Sequence, residues 1–367
     1  MRALKWIAVL ILVACVIAGG AYVIELIVEV RAANLLYEAT RRHPPHPFLQ
    51  ILPSAQVDHV NPQGFRGDPI EVTKPPRGVR IFAIGGSTTL GVSNPYADSY
   101  PAMLQTILRE RHPGVPIEVQ NAGSAWYTTA HDLIAYQLRV RRYHPDIVVV
   151  FEAINDLTRS FSPPWFATGA FQPDYSHYLG PYSRFAGPDI EFARPSSWLA
   201  ISQARRAMSG EPSPFNHRDP ANVAKMAASM RAIDDPDFKS LASFREYYDN
   251  LVRAIQADGA KVFMASQPSI YRADLNDEER AKLYFAPLMC ANQGTYPSQA
   301  AMIRGMSDFN SAARQLSAAR GVAFLDFESK VPKTLEYFTD DVHMTKKANG
   351  VIAAIAADAI EAAHLIK

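Results

Sequence analysis

An apolar run that ends in two glycines and a serine opens the longest regular part of this chain. Residues 79–84 read Val-Arg-Ile-Phe-Ala-Ile and lead into Gly85, Gly86 and Ser87. The apolar run predicts a buried strand, and the glycines allow the backbone to turn sharply at its end. Ligands of open α/β sheets bind at the carboxyl ends of the strands. Ser87 is therefore a candidate nucleophile.

The chain beyond this turn alternates between strand and helix patterns. Four further strands are predicted at 117–120, 147–151, 261–267 and 322–326, and helices at about 100–111, 128–143, 237–258, 299–320 and 345–364. Strands joined by helical crossovers form a parallel sheet that is covered on both faces. We therefore predict an α/β fold with a five-stranded parallel sheet in the order 2-1-3-4-5.

Two stretches interrupt this alternation. We interpret the first, at about 157–236, as a lid-like insertion over the strand ends, with short helices near 198–208 and 221–233. Its aromatic residues form either a wall for a sugar or acyl chain or the small core of the insertion itself: Trp165, Phe166, Phe171, Tyr175, Tyr178, Tyr182 and Trp198. The second stretch, 271–298, is irregular, and we interpret Cys290 within it as a buried apolar residue.

The N-terminus has the pattern of a membrane segment. Arg2 and Lys5 precede an apolar run from Trp6 to Ile24, about the length that a spanning helix needs. Basic residues before a span favour a cytoplasmic N-terminus, so we predict an uncleaved signal anchor with the rest of the chain outside the cytoplasm, periplasmic or at the cell surface. Two alternatives remain: a signal peptide cleaved near 18–20, and a lipid anchor on Cys15.

The predicted domain organisation has three parts. Residues 1–40 form the transmembrane anchor and a stalk helix, which is a candidate contact for a membrane-protein partner. Residues 41–78 form a Pro-rich linker and a turn-rich lead-in. Arg66 in the lead-in could reach the rim of the site around Ser87, but we favour its interpretation as part of a packing turn. Residues 79–367 form the catalytic domain. The formal net charge of +1 provides no electrostatic basis for binding nucleic acid.

Polar residues follow four of the five predicted strands. Ser87, Gly123 and Asn155 follow the first three strands, and Asp340 and His343 follow the fifth. The histidine could take the serine proton, since an unperturbed imidazole titrates near neutral pH, and the aspartate could hold the imidazole. The backbone N–H groups of Ser87 and Gly123 and the side-chain amide of Asn155 are candidate donors to an oxyanion. This convergence favours an enzyme.

The order and spacing of these residues resemble the SGNH hydrolase superfamily, the GDSL-type lipases and esterases. The family's Gly-Asp-Ser block appears as residues 85–87, with Gly86 in place of Asp, and its second block supplies Gly123. The Gly-x-Asn-Asp block appears as residues 153–156, with alanine in place of glycine. The Asp-x-x-His block is matched by Asp340 and His343.

The resemblance implies a flavodoxin-like three-layer α/β/α sandwich. It also implies hydrolysis or transfer of acyl esters through an acyl-serine, without a metal or an organic cofactor. We predict an extracytoplasmic, membrane-anchored serine esterase that acts on O-acyl esters, acetyl esters in the first place, of a cell-surface glycan. The alternatives are a lipase or lysophospholipase, an O-acyltransferase, and a non-catalytic subunit of a membrane complex with the same fold.

Overall fold

A five-stranded sheet forms the centre of the molecule. The computed structural model describes residues 5–24 except 8 and 18, residue 27, residues 45–51 except 47, and residues 58–161, 169–178, 219–290 and 293–366. The strands are β1 (Val79–Gly85), β2 (Ile117–Asn121), β3 (Ile147–Phe151), β4 (Lys261–Ala265) and β5 (Ala323–Leu325). Every pairing in this sheet is parallel, and the order is β2-β1-β3-β4-β5. The predicted sheet and its order are confirmed.

Helices cover both faces of the sheet and make the predicted three layers. They are α1 (Tyr100–Arg111), α2 (Thr129–Ala135), α3 (Leu241–Ala257), α4 (Gln299–Arg320) and α5 (Lys346–Ala362). Helix α1 packs against α5 on one face, while α2, α3 and α4 pack together on the other. Helix α2 continues through a π-helical turn and a 3₁₀ turn as far as Tyr143, where the sequence predicts the end of the helix.

Both faces of the central strands are buried, which explains why their sequences show no polar alternation. In β1, Ile81 and Ala83 point toward α1 and α5, whereas Phe82 and Ile84 point toward the other helical layer. All four side chains are fully buried. Burying a large apolar side chain contributes about 1.5–3 kcal/mol, so β1 is strongly held in the middle of the sandwich.

The insertion differs in part from its prediction. The helix predicted at 221–233 ends at Ala228, and Arg231–Ile233 instead forms a strand parallel to Thr295–Pro297. Pairing between distant segments overrides the local preference here, which was not visible in either segment alone. The remaining short elements are Pro45–His46 paired with Gln50–Ile51, the helices Ser87–Leu90, Ile154–Thr158, Pro220–Ala228, Asp277–Arg280, Phe285–Met289 and Phe327–Lys330, and a 3₁₀ turn at Tyr96–Asp98.

Several predicted features lie outside the described residues: the stalk from residue 28 onward, the helix near 198–208, and Trp165, Phe166, Tyr182 and Trp198. Two other aromatic residues of the predicted insertion are buried. The hydroxyl of Tyr175 donates to Asp156 Oδ1 at 3.0 Å, and the guanidinium of Arg159 lies 3.5 Å from the ring centroid of Tyr178. These two tyrosines are therefore core residues.

The N-terminal helix and the lead-in have different surroundings. Lys5–Ile24 is a single apolar helix with a mean hydropathy of 2.8, and none of it is buried. The lead-in packs on the sheet: Phe65 makes edge-to-face contacts with Phe82 and Tyr143, at centroid distances of 5.1 and 5.5 Å. The next residue, Arg66, is also buried.

Candidate active site

The turn after β1 places Ser87 at the start of the short helix Ser87–Leu90, at the carboxyl end of the sheet. Two glycines allow this helix to sit close to its neighbours. A Cβ atom on Gly85 would lie 2.8 Å from the carbonyl oxygen of Phe151, and one on Gly123 would lie 2.5 Å from the backbone nitrogen of Leu90. A side chain at Gly123 would therefore displace the helix, and one at Gly85 would collide with the end of β3 and with Oγ1 of Thr89 in the helix, at 2.5 Å.

Ser87, His343 and Asp340 form a hydrogen-bonded chain. Oγ of Ser87 lies 2.8 Å from Nε2 of His343, and Nδ1 of His343 lies 2.8 and 2.9 Å from the two carboxyl oxygens of Asp340. All three side chains are more than nine-tenths buried. The structure therefore brings together a hydroxyl, an imidazole and a carboxylate that are far apart in sequence, in the arrangement that activates a serine.

The loop between β5 and α5 holds Asp340 and His343 in this geometry. Asp340 Oδ1 also accepts the backbone N–H groups of Val342 at 3.2 Å and His343 at 2.9 Å. The backbone N–H of Thr339 donates to the carbonyl oxygen of His343 at 2.8 Å. Because one carboxylate binds both the backbone and the ring, the loop orients the imidazole as a unit.

The three candidate oxyanion donors differ in their present partners. The backbone N–H of Ser87 lies in the first turn of its helix, where it has no intrahelical acceptor. Nδ2 of Asn155 donates one hydrogen to the carbonyl oxygen of Tyr127 at 2.7 Å, and an amide carries a second. The N–H of Gly123 donates to Oδ1 of Asn121 at 2.9 Å, so it must share or exchange that bond to bind an oxyanion.

Two supporting residues are more important than the sequence analysis indicated. Nδ2 of Asn121 donates to the carbonyl oxygen of Thr89 at 2.7 Å, and Oδ1 of Asn121 accepts the N–H of Gly123. Asn121 therefore connects the helix Ser87–Leu90, which we call the serine helix, to the turn that contains Gly123. Arg66 donates to the carbonyl oxygens of Leu90 at 2.6 Å and Gly91 at 3.0 Å. Both interpretations of Arg66 fit these contacts, since the buried side chain packs within the lead-in and also reaches the end of the helix that carries Ser87.

An aromatic wall, formed by Trp126 and Phe285, stands beside the histidine. The ring centroid of Phe285 lies 6.0 Å from that of His343 and 5.8 Å from that of Trp126. Trp126 has a φ of +64°, which is uncommon for a large residue. Nη2 of the buried Arg159 donates to the carbonyl oxygen of Trp126 at 2.9 Å and supports this conformation.

A second carboxyl group connects the aromatic wall to the histidine loop. Asp341 accepts the backbone N–H groups of Tyr284 at 2.8 Å and Phe285 at 3.3 Å, and the hydroxyl of Tyr271 also donates to it. Burial, and then the charge of Asp340, raise the pKa of Asp341 to about 7. Cys290, in contrast, is a buried thiol whose pKa is raised to about 12 by burial, which does not suit a nucleophile.

The fold and the site together define a serine ester hydrolase built on a parallel α/β sheet. A comparison with protein families matches residues 83–351 to the GDSL-like Lipase/Acylhydrolase family. The chain therefore belongs to this family, and the resemblance in its sequence is confirmed. A comparison with curated proteins finds no match.

Among solved structures, the chain is similar to a catalytic mutant of Axe2, an acetylxylan esterase from Geobacillus stearothermophilus, with 14% identity and a TM-score of 0.45 over 78% of this chain and 96% of that one. It is also similar to a putative lipolytic protein of the G-D-S-L family from Desulfitobacterium hafniense, with 12% identity and a TM-score of 0.40 over 77% and 99%. A putative acylhydrolase from Bacteroides fragilis matches with 15% identity and a TM-score of 0.42 over 80% and 92%.

Proposed function

We propose that this serine ester hydrolase acts through an acyl-serine formed on Ser87. The observation that carries the proposal is the short chain of contacts from Ser87 Oγ to His343 and on to Asp340. As Ser87 Oγ attacks the ester carbonyl carbon, Nε2 of His343 takes its proton, and Asp340 stabilises the imidazolium. The carbonyl oxygen becomes an oxyanion beside the N–H of Ser87 and the amide of Asn155.

The remaining steps use the same groups in reverse order. When the tetrahedral intermediate collapses, the bond to the alcohol breaks, and the proton on His343 passes to the leaving oxygen. A water molecule then gives a proton to His343 as it attacks the acyl-serine, and Ser87 regains its proton when the acid leaves. An acceptor hydroxyl in place of water would give acyl transfer, which remains an alternative within the same chemistry.

We further propose that the substrate is an O-acetylated glycan. Trp126 is only partly buried and forms the aromatic wall with Phe285 beside His343. Phe285 itself is buried, so Trp126 provides the exposed part of this wall, and its ring suits the apolar face of a sugar that carries a small acyl group. Tyr175 and Tyr178 belong to the core, so they do not extend this wall.

A panel of esters tests the substrate class. The purified chain should hydrolyse acetyl esters and acetylated oligosaccharides with a kcat/KM at least about tenfold above that for long-chain acyl esters or lysophospholipids. Trp126→Ala should raise KM for the acetylated oligosaccharide more than KM for a small acetyl ester, because only the sugar contacts the wall. A preference for long-chain esters would replace the glycan proposal by the lipase alternative.

We propose that the apolar helix Lys5–Ile24 anchors the chain, with the catalytic domain outside the cytoplasm. Its length and mean hydropathy of 2.8 suit a membrane span, and Lys5 lies at the start of the helix. The full chain should stay in the membrane after alkaline extraction, and external protease should reach the catalytic domain. A Cys15→Ser variant that leaves the membrane would support the lipid anchor, and a mature N-terminus near residue 20 would support a signal peptide.

A further inference from the structure

A fully buried carboxyl group lies next to the serine turn and takes no part in the steps above. Glu152 directly follows the central strand β3, and its side chain is 0% exposed. Its carboxyl oxygens make no well-formed hydrogen bond among the described residues, although the backbone N–H of Gly86 is near enough to interact with the carboxyl group. A buried polar group in this state reduces stability, so its presence needs an explanation.

The space beside Gly86 shows what Glu152 contacts. A Cβ atom on Gly86 would lie 2.7 Å from Oε1 of Glu152 and 2.4 Å from Nδ2 of Asn155. The backbone of Gly86 has a φ of −80°, which any residue can adopt. Glycine is therefore required at this position by the neighbouring side chains and not by the backbone conformation.

We propose that Glu152 is a positioning residue, and that its carboxyl group fills the space beside residue 86 in which the usual Gly-Asp-Ser block carries an aspartate. The inference rests on the proposed function. By packing against Gly86 and near the amide of Asn155, Glu152 holds two oxyanion donors in place, the N–H of Ser87 and Nδ2 of Asn155. The substitution of Asp by Gly in the first block is thus compensated by a carboxyl group from the end of β3.

Glu152 can serve this purpose only as a neutral acid, because a carboxylate would repel the oxyanion. Burial raises the pKa of Glu152 well above its usual value, and the charges of Asp132 and Asp156 raise it further, while the charge of Arg159 and the backbone N–H of Gly86 oppose this rise. The titratable groups that surround Glu152 from the neighbouring elements are Asp132 on α2, Asp156 and Arg159 in and just after the helix Ile154–Thr158, Tyr100 on α1 and Tyr248 on α3.

Steady-state kinetics of two variants test the role. Glu152→Ala should lower kcat about tenfold or more while KM stays within about twofold, because oxyanion donors act on the transition state. Glu152→Gln keeps the shape and cannot ionise, so it should restore most of kcat. The wild type should lose kcat on the alkaline side as Glu152 ionises, and Glu152→Gln should lack this loss.

A double-mutant cycle between Gly86→Ala and Glu152→Ala measures the coupling between these two positions. Gly86→Ala introduces a methyl group that contacts Glu152, so its effect on kcat should be smaller in the Glu152→Ala background than in the wild type. Asp132→Asn is the matched control, because Asp132 is equally buried and lacks partners among the described residues but lies farther from Gly86. It should leave kcat at neutral pH unchanged and move the alkaline loss of kcat to lower pH, because the charge of Asp132 raises the pKa of Glu152.

The outcomes separate this inference from the proposed function. A fluorophosphonate probe labels an activated serine. If the wild type is labelled on Ser87 and Glu152→Ala keeps wild-type kcat and its alkaline loss, the positioning role is wrong while the esterase proposal stands. If Glu152→Gln is as slow as Glu152→Ala, the neutral carboxyl is not what positions the donors. If the wild type is not labelled, the proposed function itself fails.

Discussion

At the scale of single residues, catalysis depends on three side chains, Ser87, His343 and Asp340, joined in one hydrogen-bonded chain. Ser87 Oγ and His343 Nε2 are 2.8 Å apart, which is short enough for a proton to pass during attack. Ser87→Ala should reduce kcat at least about a thousandfold and leave the thermal midpoint nearly unchanged, because it removes one hydroxyl from a small contact. Ester hydrolysis and thermal unfolding measure the two effects, and Ser311→Ala, at an exposed serine on α4, is the control.

The isosteric variant Asp340→Asn tests the contribution of the Asp340 charge to the orientation and protonation of His343. Asp340→Asn keeps an oxygen for the backbone N–H groups of Val342 and His343 but places an uncharged amide beside Nδ1 of the ring. The wrong tautomer is then favoured and the imidazolium loses its partner, so kcat should fall on the order of a thousandfold. Hydrolysis rates across neutral pH measure this. Wild-type rates in this variant would show that His343 acts without the carboxylate.

At the scale of elements, the serine helix is held from outside the sheet by the lead-in. Arg66 is 1% exposed and donates to the carbonyl oxygens at the end of the helix and to Asp58 and Asn94. Arg66→Ala should leave these acceptors buried without donors and reduce the free energy of unfolding by about 2–4 kcal/mol, with a loss of kcat.

Urea denaturation measures the effect of Arg66→Ala. Arg245→Ala is the control, since Arg245 is exposed on α3 and donates only to Gln315 among the described residues. Equal stability of the two variants would mean that the lead-in is not needed to hold the serine helix.

Some elements follow from local sequence patterns, whereas others depend on contacts between distant parts of the chain. The end of β1, the sheet order and the positions of α1, α4 and α5 follow from local apolar patterns and were predicted closely. The strand Arg231–Ile233 was missed because its partner, Thr295–Pro297, lies more than sixty residues away. Motif spacing led to Ser87 and His343, whereas the contacts of Glu152 and Arg66 depend on packing that no local pattern reveals.

At the scale of the whole molecule, buried carboxyl groups couple stability to pH. Burial raises the pKa of Asp341 to about 7 from its ordinary value of 3.8. Burial also raises the pKa of Asp156 to about 6, and the hydrogen bonds from Thr129 and Tyr175 offset this rise only in part. Between the ordinary and the raised value, the folded state binds more protons than the unfolded chain. The stability that each neutral group provides is therefore complete below about pH 4 and is lost as the pH rises toward 6–7.

The effect of Asp341 is isolated by comparing how the free energy of unfolding changes with pH in the wild type and in Asp341→Asn. Burial lowers the pKa of His131 to about 3, which increases stability with pH from about 3 to about 6.5 and opposes the carboxyl groups. Between pH 4 and 7, the free energy of unfolding of the wild type should therefore fall by up to about 4 kcal/mol relative to that of Asp341→Asn. Urea denaturation at several pH values measures this, with the exposed Asp277→Asn as control. If the free energy of unfolding changed with pH equally in the wild type and in Asp341→Asn, burial would not raise the pKa of Asp341.

The central claim is that Ser87 becomes acylated where the first and last blocks of the chain meet. Rapid mixing with an activated acetyl ester, acid quenching and mass spectrometry of the intact chain and its peptides measure this directly. We expect one added acetyl group on the peptide that contains Ser87. This acetyl group should be absent in Ser87→Ala and should accumulate when deacylation is slowed. Turnover with an acetyl group on another residue, or hydrolysis by Ser87→Ala at the wild-type rate, would contradict it.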